Sequence, residues 1–178
     1  MSKLAFVLLA MFIVPAVAQT QTEVGRWTTG VTPNKTGVYA ATMNDSGAIL
    51  GEYCFFASKS CSWVIDIDSA CEKDHVYPVL GNTDKGAAHF ELVCKGQLAS
   101  GLYGYVFKNW QDLERLIKAG ARVGIATPLQ ADQFKVSRFM LDGLAQSTKS
   151  IEAPFFAAVA GANGQPAKVA NSRGTESL

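Results

Sequence analysis

The chain has 178 residues, 48% apolar, 17% charged and 10% aromatic, with 16 basic and 15 acidic side chains and a formal charge of +1. That is one domain's length, too apolar for wholesale disorder, and without the basic runs whose counterion release drives dedicated nucleic-acid binding. The charged fraction is below the roughly one quarter usual in soluble chains, which points to an apolar segment outside the fold.

That segment opens the sequence. Lys3 precedes LAFVLLAMFIV (residues 4 to 14), an unbroken run of eleven apolar residues, and Ala16-Val17-Ala18 comes next. The run is short of the roughly 20 residues a membrane-spanning helix needs but suits a secretory signal, and the small-x-small pattern is what signal peptidase reads. Residues 1–18 are therefore read as a Sec signal peptide cleaved after Ala18, giving a periplasmic or secreted mature chain with no transmembrane segment. Without Lys3, that 160-residue chain carries 15 basic and 15 acidic groups.

Most of the mature chain reads as short strands between turns. Residues 24–31 and 37–43 are rich in strand formers on either side of TPNKT, and Asn44 to Gly47 makes a second turn. In residues 48–56, Ile49, Tyr53 and Phe55 share a face. In 61–67, Cys61, Trp63, Ile65 and Ile67 alternate with Ser62, Val64 and Asp66. Residues 76–80 are a further strand, which Pro78 assigns to an edge. In 87–95, Phe90, Leu92 and Cys94 point to the core and His89 to water. Residues 102–107 (LYGYVF) are another strand. A helix comes after it, with Asn109 as its cap, Trp110, Leu113, Leu116 and Ile117 as its apolar stripe, Glu114 and Lys118 at pairing distance, and Gly120 as a left-handed terminator. Strands at 121–127 and 133–140 precede a short helix from Gly143 to about Ser150, capped by Asp142. From Gly161 the chain loses large apolar groups. The predicted fold is mainly β: a single antiparallel β-sandwich-like domain over residues 19–160 with one or two short helices, and a flexible tail over 161–178.

Cys54, Cys61, Cys71 and Cys94 are an even set in an exported chain, which predicts two disulfides. Three connectivities are open. The hairpin flanked by Cys54 and Cys61 favours pairing those two, and Cys71 with Cys94. A zinc site lacks a C-x-x-C pair and histidines at ligand spacing, so no metal is expected.

Enzyme chemistry finds few residues. There is no G-x-S-x-G, P-loop or G-x-G-x-x-G, and His75 and His89 have only Asp74 and Glu91 beside them. DIDSACEKD fails as a calcium loop because Cys71 takes the position that requires glycine. No catalytic residue and no cofactor are predicted. The remaining candidates are aromatic: Tyr103 and Tyr105, with Gly101 and Gly104 keeping the backbone accessible, form the candidate binding surface.

Residues 110–151 run as WQDLERLIKAG, ARVGIAT, PLQADQ, FKVSRFML and DGLAQSTKSI: a helix ending in Ala-Gly, two strands, and a final turn, Leu141-Asp142-Gly143-Leu144. This order resembles the closing segment of the invasion-associated locus B family of exported bacterial proteins, with Leu144 where that family's turn has an aromatic. The resemblance implies a periplasmic or secreted β-sandwich and transfers no catalytic residue. Together these features predict a non-enzymatic envelope protein that binds another envelope or secreted protein. The alternatives are a small cell-wall hydrolase using Asp66, Asp68 or His75, and an immunity or inhibitor protein presenting the loop at 57–60.

Overall fold

The structure, a computed structural model, describes residues 21–108, 110–129 and 133–163. The segment read as a signal peptide, the Asn109 cap and, of the tail expected over 161–178, the residues beyond 163 lie outside the described residues. The elements, in chain order, are strands β1 (Thr22–Val24), β2 (Trp27–Val31), β3 (Gly37–Met43), β4 (Ile49–Phe55), β5 (Ser60–Ile67), β6 (Val76–Thr83), β7 (Gly86–Gln97) and β8 (Tyr103–Phe107), helix α1 (Trp110–Ala119), strands β9 (Arg122–Pro128) and β10 (Phe134–Met140), and helix α2 (Leu144–Asn163).

The fold is mainly β, as expected, and both disulfides form as read: Cys54 with Cys61 and Cys71 with Cys94. All strand pairs are antiparallel, in one sheet of order β1-β2-β3-β4-β5-β8-β7-β6-β9-β10. This sheet is strongly curled. At about 4.8 Å per strand a flat sheet would hold β2 and β10 some 40 Å apart, yet Trp27 Nε1 donates to the Met140 carbonyl at 3.2 Å and Arg26 N–H to that of Asp142 at 3.1 Å. The two halves of one sheet thus face each other across one core. Trp27, Trp63, Phe90, Phe107 and Phe139 are its largest buried rings, with Leu113 and Ile117 of α1 and Ile151 and Phe155 of α2 packed on them.

Several local readings change. Residues 24–31 are two strands, because Gly25, at φ +59°, turns the chain between β1 and β2. β6 is interior, but Pro78 sits where only β7 pairs with it; β9 begins its pairing at Leu80, so the missing N–H costs no ladder bond. Gly120 is not left-handed. Glycine is needed there for space: a Cβ would lie 2.7 Å from Cβ of Thr83. The final helix runs 20 residues, through Pro154 to Asn163, past the expected end of the domain. Its buried stripe (Leu144, Ser147, Thr148, Ile151, Phe155) keeps helical spacing on both sides of the proline, so packing on β2, β3 and β4 outweighs the lost hydrogen bond.

Candidate functional site

The sheet register decides which side chains meet on each face. On the outer face, Gly30 of β2, Tyr39 of β3, Tyr53 of β4 and Ser62 of β5 form one cross-strand row. Tyr39 lies over Gly30, where a Cβ would come within 3.0 Å of its hydroxyl. Tyr39 and Tyr53 stack at 5.8 Å between ring centroids, and Phe55, two residues along β4, stacks on Tyr53 at 6.5 Å. Gln21 Nε2 donates to the Tyr39 hydroxyl at 2.9 Å. Two rows along, Met43 pairs with Ile49, and Met43 is 63% exposed. Between them runs an open groove of about 370 Å³, lined by Tyr39, Tyr53, Met43 and Ile49 with the hydroxyl-bearing Thr28. The face shared by Ile49, Tyr53 and Phe55 is therefore this outer one.

Asp66 continues the row of Met43 and Ile49 into β5 and pairs with Gly104 of β8. It is not solvated: only 9% of it is exposed, and burial pushes its carboxyl up to about 6. Burial, then Asp66 and Tyr39, push the Tyr53 hydroxyl up to about 12, so the phenol remains a donor at any physiological pH. The Asp66 shift has a sign in stability. With the folded value above the unfolded one, its contribution is intact below about pH 4 and is lost as pH rises through 6. Asp66→Asn is expected to gain up to about 3 kcal/mol over the parent in urea melts at pH 7.5, with the difference vanishing at pH 4; an equal offset at both pH values would refute the assignment.

The other sequence candidates are scattered. Tyr105 is 3% exposed, its ring packs edge-on against Tyr77, and its hydroxyl donates to the Ser69 carbonyl at 2.7 Å. Its position on the inner register of β8 leaves no ring face open to a ligand, while Tyr103 is half-buried beside it. Asp68 is exposed and lies 3.6 Å from the Lys135 ammonium, and His75 is exposed and lies 2.8 Å from Glu72. Neither joins Asp66 in a common site.

On the inner face the row is Thr29, Ala40, Glu52 and Trp63. Glu52 follows Leu50 and precedes Cys54 on the same side of β4, and both are fully buried, so its carboxyl is forced into the core at 2% exposure. There it meets Glu114 of α1 and Glu152 of α2: one carboxylate oxygen from each lies within 4.8 Å of the other two. Glu152 hydrogen-bonds Glu52, and burial together with Glu152 pushes Glu52 up to about 8. Lys118 bonds Glu114 at 3.1 Å. Glu52 Oε2 and Trp63 Nε1 find no hydrogen-bond partner among the described residues. Sequence reading missed this cluster because it joins residues 62 and 38 positions apart; the one local signal was an acid between Leu50 and Cys54 on the disulfide's side of the strand.

No family model and no curated protein matches the chain. Among solved structures it is similar to the crystal structure of invasion associated protein B from Bartonella henselae, with a TM-score of 0.54 and 15% identity over 76% of this chain and 97% of that one. The two share a fold, and the likeness expected from residues 110–151 extends over most of the domain. No helix among the described residues is long and apolar enough to cross a membrane.

Proposed function

We propose that this is an exported bacterial envelope protein that acts by binding a second envelope or secreted protein, without catalysis of its own, and that the outer-face aromatic groove is where it binds. The groove carries the reading. Tyr39, Tyr53 and Phe55 form a continuous stacked ladder, flanked by the exposed Met43 and by the Thr28 hydroxyl, and tyrosine and methionine beside satisfiable polar groups are the composition of protein interfaces. Two disulfides suit an oxidising compartment, and a shared fold with a protein named for invasion supports a role at the bacterial envelope.

The test is photo-crosslinking from a benzophenone amino acid placed at position 43, followed by affinity measurement with the purified, identified partner. Tyr53→Ala and Phe55→Ala are each expected to weaken that affinity about 30-fold, the size of a hot-spot truncation, with melting behaviour retained. Unchanged affinity in both variants would reject the groove; turnover of a cell-wall substrate by the purified protein would reject the non-catalytic reading.

A further inference from the structure

The inner-face carboxylates are an unusual thing to bury. Three acids from β4, α1 and α2 converge on the inner face, Glu52 buried and Glu114 and Glu152 partly so, and one lysine, itself half-exposed, pairs with only one of them. A buried acceptor without a donor destabilises a fold, more so when charged, and carboxylates gathered this closely repel one another. Glu52 is only 2% exposed, a carboxylate oxygen of it faces the other two acids, and its Oε2 finds no hydrogen-bond partner among the described residues. Packing alone gives no reason to place it there, since its strand neighbours Leu50 and Cys54 fill the same face with apolar groups.

We propose that Glu52, Glu114 and Glu152 form a buried site for a hard divalent cation, which ties both helices to the sheet. Oxygen ligands around calcium, manganese or magnesium lie about 2.0–2.6 Å from the ion, so opposing ligands are roughly 4–5 Å apart and adjacent ones closer. The observed spacing, within 4.8 Å, fits such an ion with only side-chain adjustment. The ion takes the lone pair of Glu52 Oε2 and offsets the charge that Lys118 leaves unbalanced. Soft metals are disfavoured. The sulfurs of Cys54 and Cys61 also lie within 4.8 Å of the Glu52 carboxylate, but they are joined to each other and have no thiolate to offer. The position also gives the site a consequence: α2 packs against β2 and β3, the strands that carry Gly30 and Tyr39 of the outer groove, so an ion holding α2 would brace that part of the sheet from within.

The experiment uses oxidised full-length mature protein, freed of metal with EDTA, and titrates calcium, magnesium and manganese by calorimetry, with terbium as a luminescent calcium probe. Trp63, the cross-strand partner of Glu52, is placed to sensitise it. One ion per chain is expected, with a melting temperature raised by about 5–10 °C at 100 times Kd. Glu52→Gln should abolish both effects yet fold at least as stably as the metal-free parent, because it removes a buried acid without changing volume. Glu114→Gln, on the more accessible helix, provides a second variant and should weaken binding at least 10-fold. Absence of stoichiometric binding by the parent would overturn the proposal in favour of a carboxyl pair sharing a proton; so would binding that survives Glu52→Gln.

Discussion

Gly143→Ala is expected to lose about 4 kcal/mol in urea unfolding. Two causes add. Gly143 has φ +89°, a left-handed conformation that strains any side-chain-bearing residue, and an alanine Cβ would overlap the carbonyl oxygen of Val24 and lie 2.7 Å from its carbon. The obstacle is backbone, in the turn from β1 to β2, so no rotamer change relieves it. The same junction holds Arg26 N–H to the Asp142 carbonyl and Trp27 Nε1 to the Met140 carbonyl, with Leu141 and Leu144 buried on either side. Here the curled sheet brings its two ends together, so displacing it detaches β1 and β2 from β10 and shifts the start of α2. Gly47→Ala is the control. Gly47 is also left-handed, at φ +79°, but has nothing within 4 Å of its missing Cβ, and should lose only about 1 kcal/mol. Equal losses at the two positions would show that the close approach to Val24 contributes nothing.

This junction also shows what the sequence could and could not reveal. Leu141-Asp142-Gly143-Leu144 was recognisable as a turn, but its glycine is required by a strand more than a hundred residues earlier, a relation no local pattern encodes. Strand positions were legible because turn residues and period-2 alternation are local, and α1 because its stripe is contiguous. The sense of β4 was not: apolar residues occupy both faces, Ile49, Tyr53 and Phe55 on one and Leu50 and Cys54 on the other, and only the β3 and β5 pairings show that Glu52 points inward. Pro154 hid the length of α2, because its cost is intrinsic to the helix while the burial of Ile151 and Phe155 that offsets it depends on the sheet. Tyr103 and Tyr105 share a face, as alternation requires, but which face that is depends on β8 lying between β5 and β7.

That strand order makes the Cys71–Cys94 bridge the more consequential of the two. The chain leaves β5 and enters β6 three places along the sheet, so residues 68–75 must cross the ends of β8 and β7 without a strand of their own. Polar contacts hold this crossover besides the bridge. The Ser69 carbonyl accepts from Tyr105 and the Asp68 carbonyl from the Lys135 ammonium, Glu72 N–H donates to the Tyr77 hydroxyl, the backbones of Asp74 and His75 bond that of Cys94, and Asp74 lies 3.6 Å from the Lys95 ammonium. The bridge fixes the crossover to β7 over a separation of 23 residues, for which loop closure gives about 3 kcal/mol. Cys54–Cys61 spans only 7 residues, between directly paired positions of one hairpin, and the same relation gives about 2 kcal/mol. The double variant Cys71→Ala, Cys94→Ala is therefore expected to melt about 10 °C below the parent, with faster amide exchange confined to residues 68–77 and the adjoining stretch of β7. The aromatic ladder lies level with Ser60 and Ser62, at the end of β5 opposite this crossover, so partner affinity measured well below the melting temperature should stay within twofold of the parent. A melting temperature within 2 °C of the parent would mean that the hydrogen bonds hold the crossover unaided. A loss of affinity as large as that of Tyr53→Ala would place the partner's contact at the crossover, beside Tyr103, and not on the aromatic ladder.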